Sequence, residues 1–119
     1  MLALLADIVN ARNLLTGDAE TRRYRTGYRF GTGRVLAVVR PGMLVEQWRV
    51  LVACAASRAI VITQASNTGL TGGSTPDGDD CDRDVVIVST TRIKRLHLLK
   101  EGKQVVCIGA PRLISSNAR

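Results

Sequence analysis

Aromatic side chains are scarce in this chain: one Trp, two Tyr and one Phe make up 3% of 119 residues. A buried core must therefore be built from Val, Leu, Ile and Ala. Histidine occurs once, as His97 in the strand-like RLHLL. With no second ligand group nearby it does not make a metal site, and a lone strand histidine reads as a packed or surface residue. The three cysteines, Cys54, Cys81 and Cys107, form no CxxC pair and are odd in number. That argues against a disulfide framework and a zinc knuckle, and for a reducing cytosolic compartment. Long apolar runs are also missing: none approaches the ~18–20 residues of a membrane span. The opening MLALLADIVNA is broken by Asp7 and has no basic segment before it, so it does not read as a secretory signal.

What is present is a globular composition, 45% hydrophobic, of a length expected for one domain or part of one. The net charge is +7, unevenly placed. Residues 1–63 carry +5, residues 64–91 carry −4 and residues 92–119 carry +6. A basic surface suits nucleic acid, anionic lipid or a phosphate-bearing ligand, and charge alone does not choose among them.

Along the chain, Leu2, Leu5, Ile8 and Val9 fall on one stripe of a short amphipathic helix, and TGDAETRR (16–23) allows another. RRYRTGYRFGTGR (22–34) is basic, glycine-punctuated and expected to be irregular. Only Tyr24, Tyr28 and Phe30 offer base-stacking surfaces there, so a solvated or cofactor-side loop is preferred to a nucleic-acid site. VLAVV (35–39), AIVIT (59–63) and DVVIVST (84–90) read as buried strands. Between the first two, Leu44, Trp48, Leu51 and Val52 recur at helical steps, with Trp48 and Cys54 expected in the core. This is a β-α-β unit, for which parallel strands and a right-handed crossover are expected. IKRLHLL (93–99) and KQVVCIG (103–109), joined at Lys100-Glu101-Gly102, read as an antiparallel hairpin.

The stretch QASNTGLTGGSTPDGDD (64–80) separates two of the buried strands, although it is long, polar and glycine-rich. Loops longer than about 12 residues are usually functional or disordered. It matches neither the Walker phosphate loop, nor the GxGxxG dinucleotide fingerprint, nor the EF-hand. Its physical content is still that of an anion cradle. Glycines let backbone N–H groups approach an anion closely, and Asn67, Thr68, Ser74 and Thr75 add polar donors. A flexible surface loop is the alternative. The acidic DGDDCDRD reads as a solvated turn, with Asp82 or Asp84 pairing an arginine, rather than a calcium loop. Nearby carboxylates disfavour a thiolate at Cys81.

ASNTGLTGGSTP followed by DRDVVIVST resembles the flavin-binding segment of the quinone-dependent, membrane-associated bacterial D-lactate dehydrogenases, whose flavin domain is of the vanillyl-alcohol-oxidase type. The resemblance extends through RRYRTGYRFGTG, LAVVRPGMLVEQWRVLVAC and RIKRLHLLKEGKQVV, covering roughly residues 14–106. It implies that the loop cradles the pyrophosphate of FAD. Ala65, Ser66, Asn67, Thr68 and Gly69 match one flavin-contacting run, and Gly73 and Ser74 match a second; no catalytic residue or metal ligand is implied. It also implies D-lactate oxidation to pyruvate with electrons passed to a quinone, by a peripheral protein on the cytoplasmic face of the inner membrane. An anionic membrane surface would then be a partner of the full-length enzyme.

The expected fold is α+β: a small parallel β-α-β sheet with flanking helices, as in the first half of such a flavin domain, followed by the start of an antiparallel sheet. Residues 1–91 would form the pyrophosphate-binding subdomain and residues 92–119 the start of a second. Family enzymes are several times longer, and after Val106 the resemblance is lost in GAPRLISSNAR. A truncated reading frame is the expectation, and with it a marginally stable, aggregation-prone chain that binds FAD weakly or not at all and has no activity alone. The competing reading is a small basic protein without enzyme activity that binds an anion or nucleotide.

Overall fold

The structure, a computed structural model, describes residues 1–27, 32–78 and 81–109. Among these residues three α-helices and two sheets are formed: α1 (Leu2–Val9), β1 (Leu14–Leu15), α2 (Asp18–Arg25), β2 (Ala37–Val39), α3 (Leu44–Ala56), β3 (Ile60–Gln64), β4 (Val85–Ser89), β5 (Lys94–Leu99) and β6 (Gln104–Gly109). The first sheet has the order β1-β2-β4-β3. β4 pairs in parallel with both β2 and β3, and β1 runs antiparallel at the edge beside β2. The fold is therefore α+β, with the expected parallel β-α-β unit and a separate antiparallel hairpin.

The apolar runs are continuous because both faces of this sheet are covered. On one face Val39, Val86 and Val88 meet Leu5 and Val9 of α1 and Val50, Ala53 and Cys54 of α3. On the other, Val38 and Ile87 meet Tyr24 of α2, with Leu15, Val35 and Ile62 around them. Successive residues of a strand point to opposite faces, so Val38–Val39 and Val86–Ile87 serve two cores at once. Burying each such side chain stabilises the fold by about 1.5–3 kcal/mol before conformational entropy is counted.

Local signals set the helix ends. Glu20 reaches back to accept from the N–H groups of Gly17 (2.9 Å) and Thr16 (3.1 Å), closing the start of α2. These bonds favour the carboxylate and hold Glu20 below its ordinary range. A depressed carboxyl contributes stability above its unfolded-state pKa, and that contribution fades as pH falls through the folded-state value. Pro41 and Gly42 precede α3, where the Gly42 N–H donates to Glu46 at 2.9 Å.

α3 corrects one expectation. Trp48 is 64% exposed rather than a core anchor, and Leu44, Leu51 and Val52 also face outward. The buried stripe is Val50, Ala53 and Cys54. Burial of Cys54 raises the pKa of its thiol, which disfavours thiolate chemistry. A chromogenic thiol reagent at neutral pH should therefore modify exposed Cys107 rapidly and Cys54 only after denaturant is added. Equal rates at the two sites would contradict the packing of α3.

The hairpin turns where expected. Lys100 (φ 51°), Glu101 (φ 59°) and Gly102 (φ 87°) lie in the left-handed region. Leu98 pairs with Val105, and Leu96 with Cys107, giving one face an apolar patch. Leu98 and Val105 are exposed. His97 is an exposed strand residue opposite Val106.

Candidate functional site

β3 and β4 are adjacent and parallel, so the chain between them must return from the carboxyl edge of the sheet to the amino edge. Such crossovers need a dozen or more residues and usually contain a helix. Here residues 65–84 make the return without a helix or a strand among the described residues. This accounts for the length of the loop; side chains account for its shape.

Two amides hold it. Gln64, 1% exposed, donates from Nε2 to the carbonyls of Tyr24 (2.7 Å) and Ser74 (2.9 Å). Asn67, at φ 57°, donates from Nδ2 to the carbonyls of Thr26 (2.8 Å) and Arg23 (3.3 Å). Its Oδ1 accepts from the Ser74 hydroxyl at 2.8 Å. The two flavin-matching runs, 65–69 and 73–74, are thus tied together through Asn67 and Ser74, and both are tied to the end of α2. Further along, Gly33 and Gly78 form a bridge. A Cβ on Gly33 would lie 2.9 Å from the Gly78 carbonyl oxygen, so this close approach requires glycine.

The bonding revises which groups can face a ligand. The amide of Asn67 is spent on carbonyls and the hydroxyl of Ser74 on Asn67. Thr75 is buried, and its Oγ1 has no hydrogen-bond partner. Ser66 and Thr68 remain exposed, as do Ala65, Gly69 and Gly73. A Cβ built on Gly69 would meet nothing within 4 Å, and one on Gly73 only the Thr71 hydroxyl at 3.8 Å. The loop therefore offers open backbone, with its side chains acting as internal struts.

Between this loop and α2 lies a cleft of about 460 Å³ lined by Arg23, Tyr24, Thr26, Gln64–Asn67 and Thr91. It sits at the carboxyl ends of the parallel strands, where open α/β sheets bind ligands. A larger open groove of about 810 Å³ lies at the opposite edge, beside Arg58 and Cys81–Asp84. The smaller cleft is the candidate site, because Ala65, Ser66 and Asn67 line it, whereas the groove mixes charges of both signs and is lined by none of the seven flavin-matching residues. Asp82 there pairs with Arg83 at 3.4 Å, as the solvated-turn reading expected. Among the described residues no cluster of His, Cys, Asp or Glu is placed to hold a metal ion. Asp79 and Asp80 lie outside the described residues.

The sequence reading picked the loop but missed Gln64, Arg23 and Tyr24. A polar residue closing an apolar strand run was the available signal for Gln64. The other two lie in the basic stretch 22–34, read as a solvated or cofactor-side loop, but no local pattern singled them out; they approach the loop from about forty positions upstream.

No protein-family model matches the chain. It is 54% identical over 111 residues to the quinone-dependent D-lactate dehydrogenase of Escherichia coli strain K12, covering 93% of this chain. It is 51% identical over 108 residues to the Haemophilus influenzae protein of the same name, covering 91% of this chain. The Corynebacterium glutamicum protein of that name is 50% identical over 105 residues. The chain belongs to the quinone-dependent D-lactate dehydrogenase family. It spans about a fifth of the length of these quinone-dependent D-lactate dehydrogenases, 19% of the E. coli and H. influenzae proteins and 18% of the C. glutamicum one. No helix among its described residues is long and apolar enough to cross a membrane.

Proposed function

We propose that this chain is the pyrophosphate-holding part of an FAD-dependent D-lactate dehydrogenase that oxidises D-lactate to pyruvate and delivers the electrons to a membrane quinone. The observation that carries the reading is the Asn67–Ser74 clasp. It brings Ala65–Gly69 and Gly73–Ser74 together as open backbone at the carboxyl edge of a parallel sheet. In this assignment residues 1–91 form the pyrophosphate subdomain, and β5–β6 begin a second one. The whole protein would act peripherally at the cytoplasmic face of the inner membrane.

FAD, when bound, supplies hydride acceptance and onward electron transfer. The residues of this chain bind and orient. Gln64 and Asn67 fix the loop backbone, Gly69 and Gly73 leave room for phosphate oxygens, and Ser66 and Thr68 offer hydroxyls. No residue here is assigned to the proton or hydride steps.

Titrating FAD with the chain and following flavin fluorescence tests the reading. Saturable quenching is expected, at high chain concentration because only part of the flavin surround is present. Gly73→Asp should weaken it at least tenfold. A carboxylate facing a phosphate across a few ångströms costs a few kcal/mol at an effective dielectric of about 20. Asn67→Ala should also weaken binding, by releasing the clasp. Absence of quenching together with salt-dependent nucleic-acid binding would favour the small basic binding protein instead.

A further inference from the structure

The last turn of α2 carries three arginines, and their situations differ. Arg22 and Arg25 both pair with Asp18, at 3.4 and 2.6 Å. Arg23 has no carboxylate within ion-pair distance among the described residues. Its Nη2 donates to the Tyr24 hydroxyl at 2.7 Å, and its Cζ lies 4.7 Å from the centroid of that ring. Tyr24 itself is buried against Val38 and Ile87. The guanidinium is thus anchored on a fixed ring while most of its five N–H donors remain unspent.

We infer that Arg23 is an anion-binding residue of the cleft, giving charged contact to a phosphoryl group seated on Ala65–Asn67. The inference rests on the flavin reading above and adds to it a residue outside the seven matched by sequence. Arg23 lines the same cleft as Ala65, Ser66 and Asn67. The end of a helix carries partial negative charge on its free carbonyls and would ordinarily repel an anion. Here Asn67 covers the carbonyls of Arg23 and Thr26, and the Arg23 cation outweighs the rest. Arginine suits the role because its planar fork meets two phosphate oxygens at once and stacks on an aromatic ring.

The test is FAD titration of the whole chain carrying Arg23→Gln, Arg23→Lys or Arg22→Gln, with inorganic pyrophosphate as competitor and far-UV circular dichroism to verify folding. Arg23→Gln should weaken FAD binding about tenfold or more and raise the pyrophosphate concentration needed for displacement. Arg23→Lys should retain part of the affinity, since the charge remains but the fork is lost. Arg22→Gln removes the same charge one position away and should stay within about twofold of the unsubstituted chain. If Arg23→Gln is folded and titrates like the unsubstituted chain, the assignment of Arg23 is wrong and the flavin reading stands. If the unsubstituted chain does not quench FAD at all, the flavin reading falls and the Arg23 assignment with it.

Discussion

Replacing Gln64 by Leu is expected to lower the unfolding free energy by about 3 kcal/mol, seen as an earlier urea midpoint at unchanged slope. Leucine fills a similar volume, so the loss is polar. The Gln64 amide serves the carbonyls of Tyr24 and Ser74, at 2.7 and 2.9 Å, the first bond buried and the second partly buried. Deleting the donor leaves the Tyr24 oxygen desolvated without a partner, at roughly 1–3 kcal/mol, and the partly buried Ser74 oxygen adds a smaller loss. The backbone bond from the Thr90 N–H to the Gln64 carbonyl, 2.9 Å, survives the change. Domains of this kind have only about 5–15 kcal/mol in total, so such a loss removes a large share of the folded-state margin. The adjacent Thr63 is exposed on the same strand. Thr63→Val should therefore cost less than about 0.5 kcal/mol. If Gln64→Leu is as mild as Thr63→Val, the two carbonyls are not buried behind this side chain.

The strands of the parallel sheet were legible because each is a short apolar run closed by glycine, proline or polar residues, and covering both faces leaves no alternation to misread. The hairpin was legible from its turn. The crossover loop was legible as polar and glycine-rich, and so as a candidate anion site. What stayed hidden was its internal bonding. Asn67 looks like a free donor in the sequence, and becomes a clasp only because folding brings carbonyls from positions 23 and 26 beside it. Such partners carry no local pattern. α3 was legible as a helix but not in its rotation. Two stripes satisfy helical spacing, one through Leu44, Trp48, Leu51 and Val52, the other through Val50, Ala53 and Cys54. Size favours the first. The structure buries the second, whose small side chains let α3 settle onto the sheet and against α1.

The rotation of α3 and the centrality of β4 yield a paired expectation. Ile87→Ala should cost about 3–4 kcal/mol, in the upper part of the range for buried isoleucine. Ile87 is fully buried on the central strand, opposite Val38 and Ile62 in register, and packs with Tyr24. With parallel neighbours on both sides the strand has little freedom to collapse into the vacated space, and the cavity cost adds to the lost transfer energy. Trp48→Gln should cost less than about 1 kcal/mol despite removing the largest side chain in the protein, because that side chain is mostly in water. Trp48 is also the single tryptophan, so its emission reports on this face alone. In the folded chain that emission should resemble solvated indole and change little on unfolding. A blue-shifted band with a Trp48→Gln cost near that of Ile87→Ala would mean that α3 is turned by about 150° on its axis, the angle between the two stripes at 3.6 residues per turn. The stripe read from the sequence would then be the buried one. Such a turn would also withdraw Cys54 from the core and leave its thiol open to reagent, so fluorescence, thiol reactivity and the two melting curves must agree on one rotation of the helix.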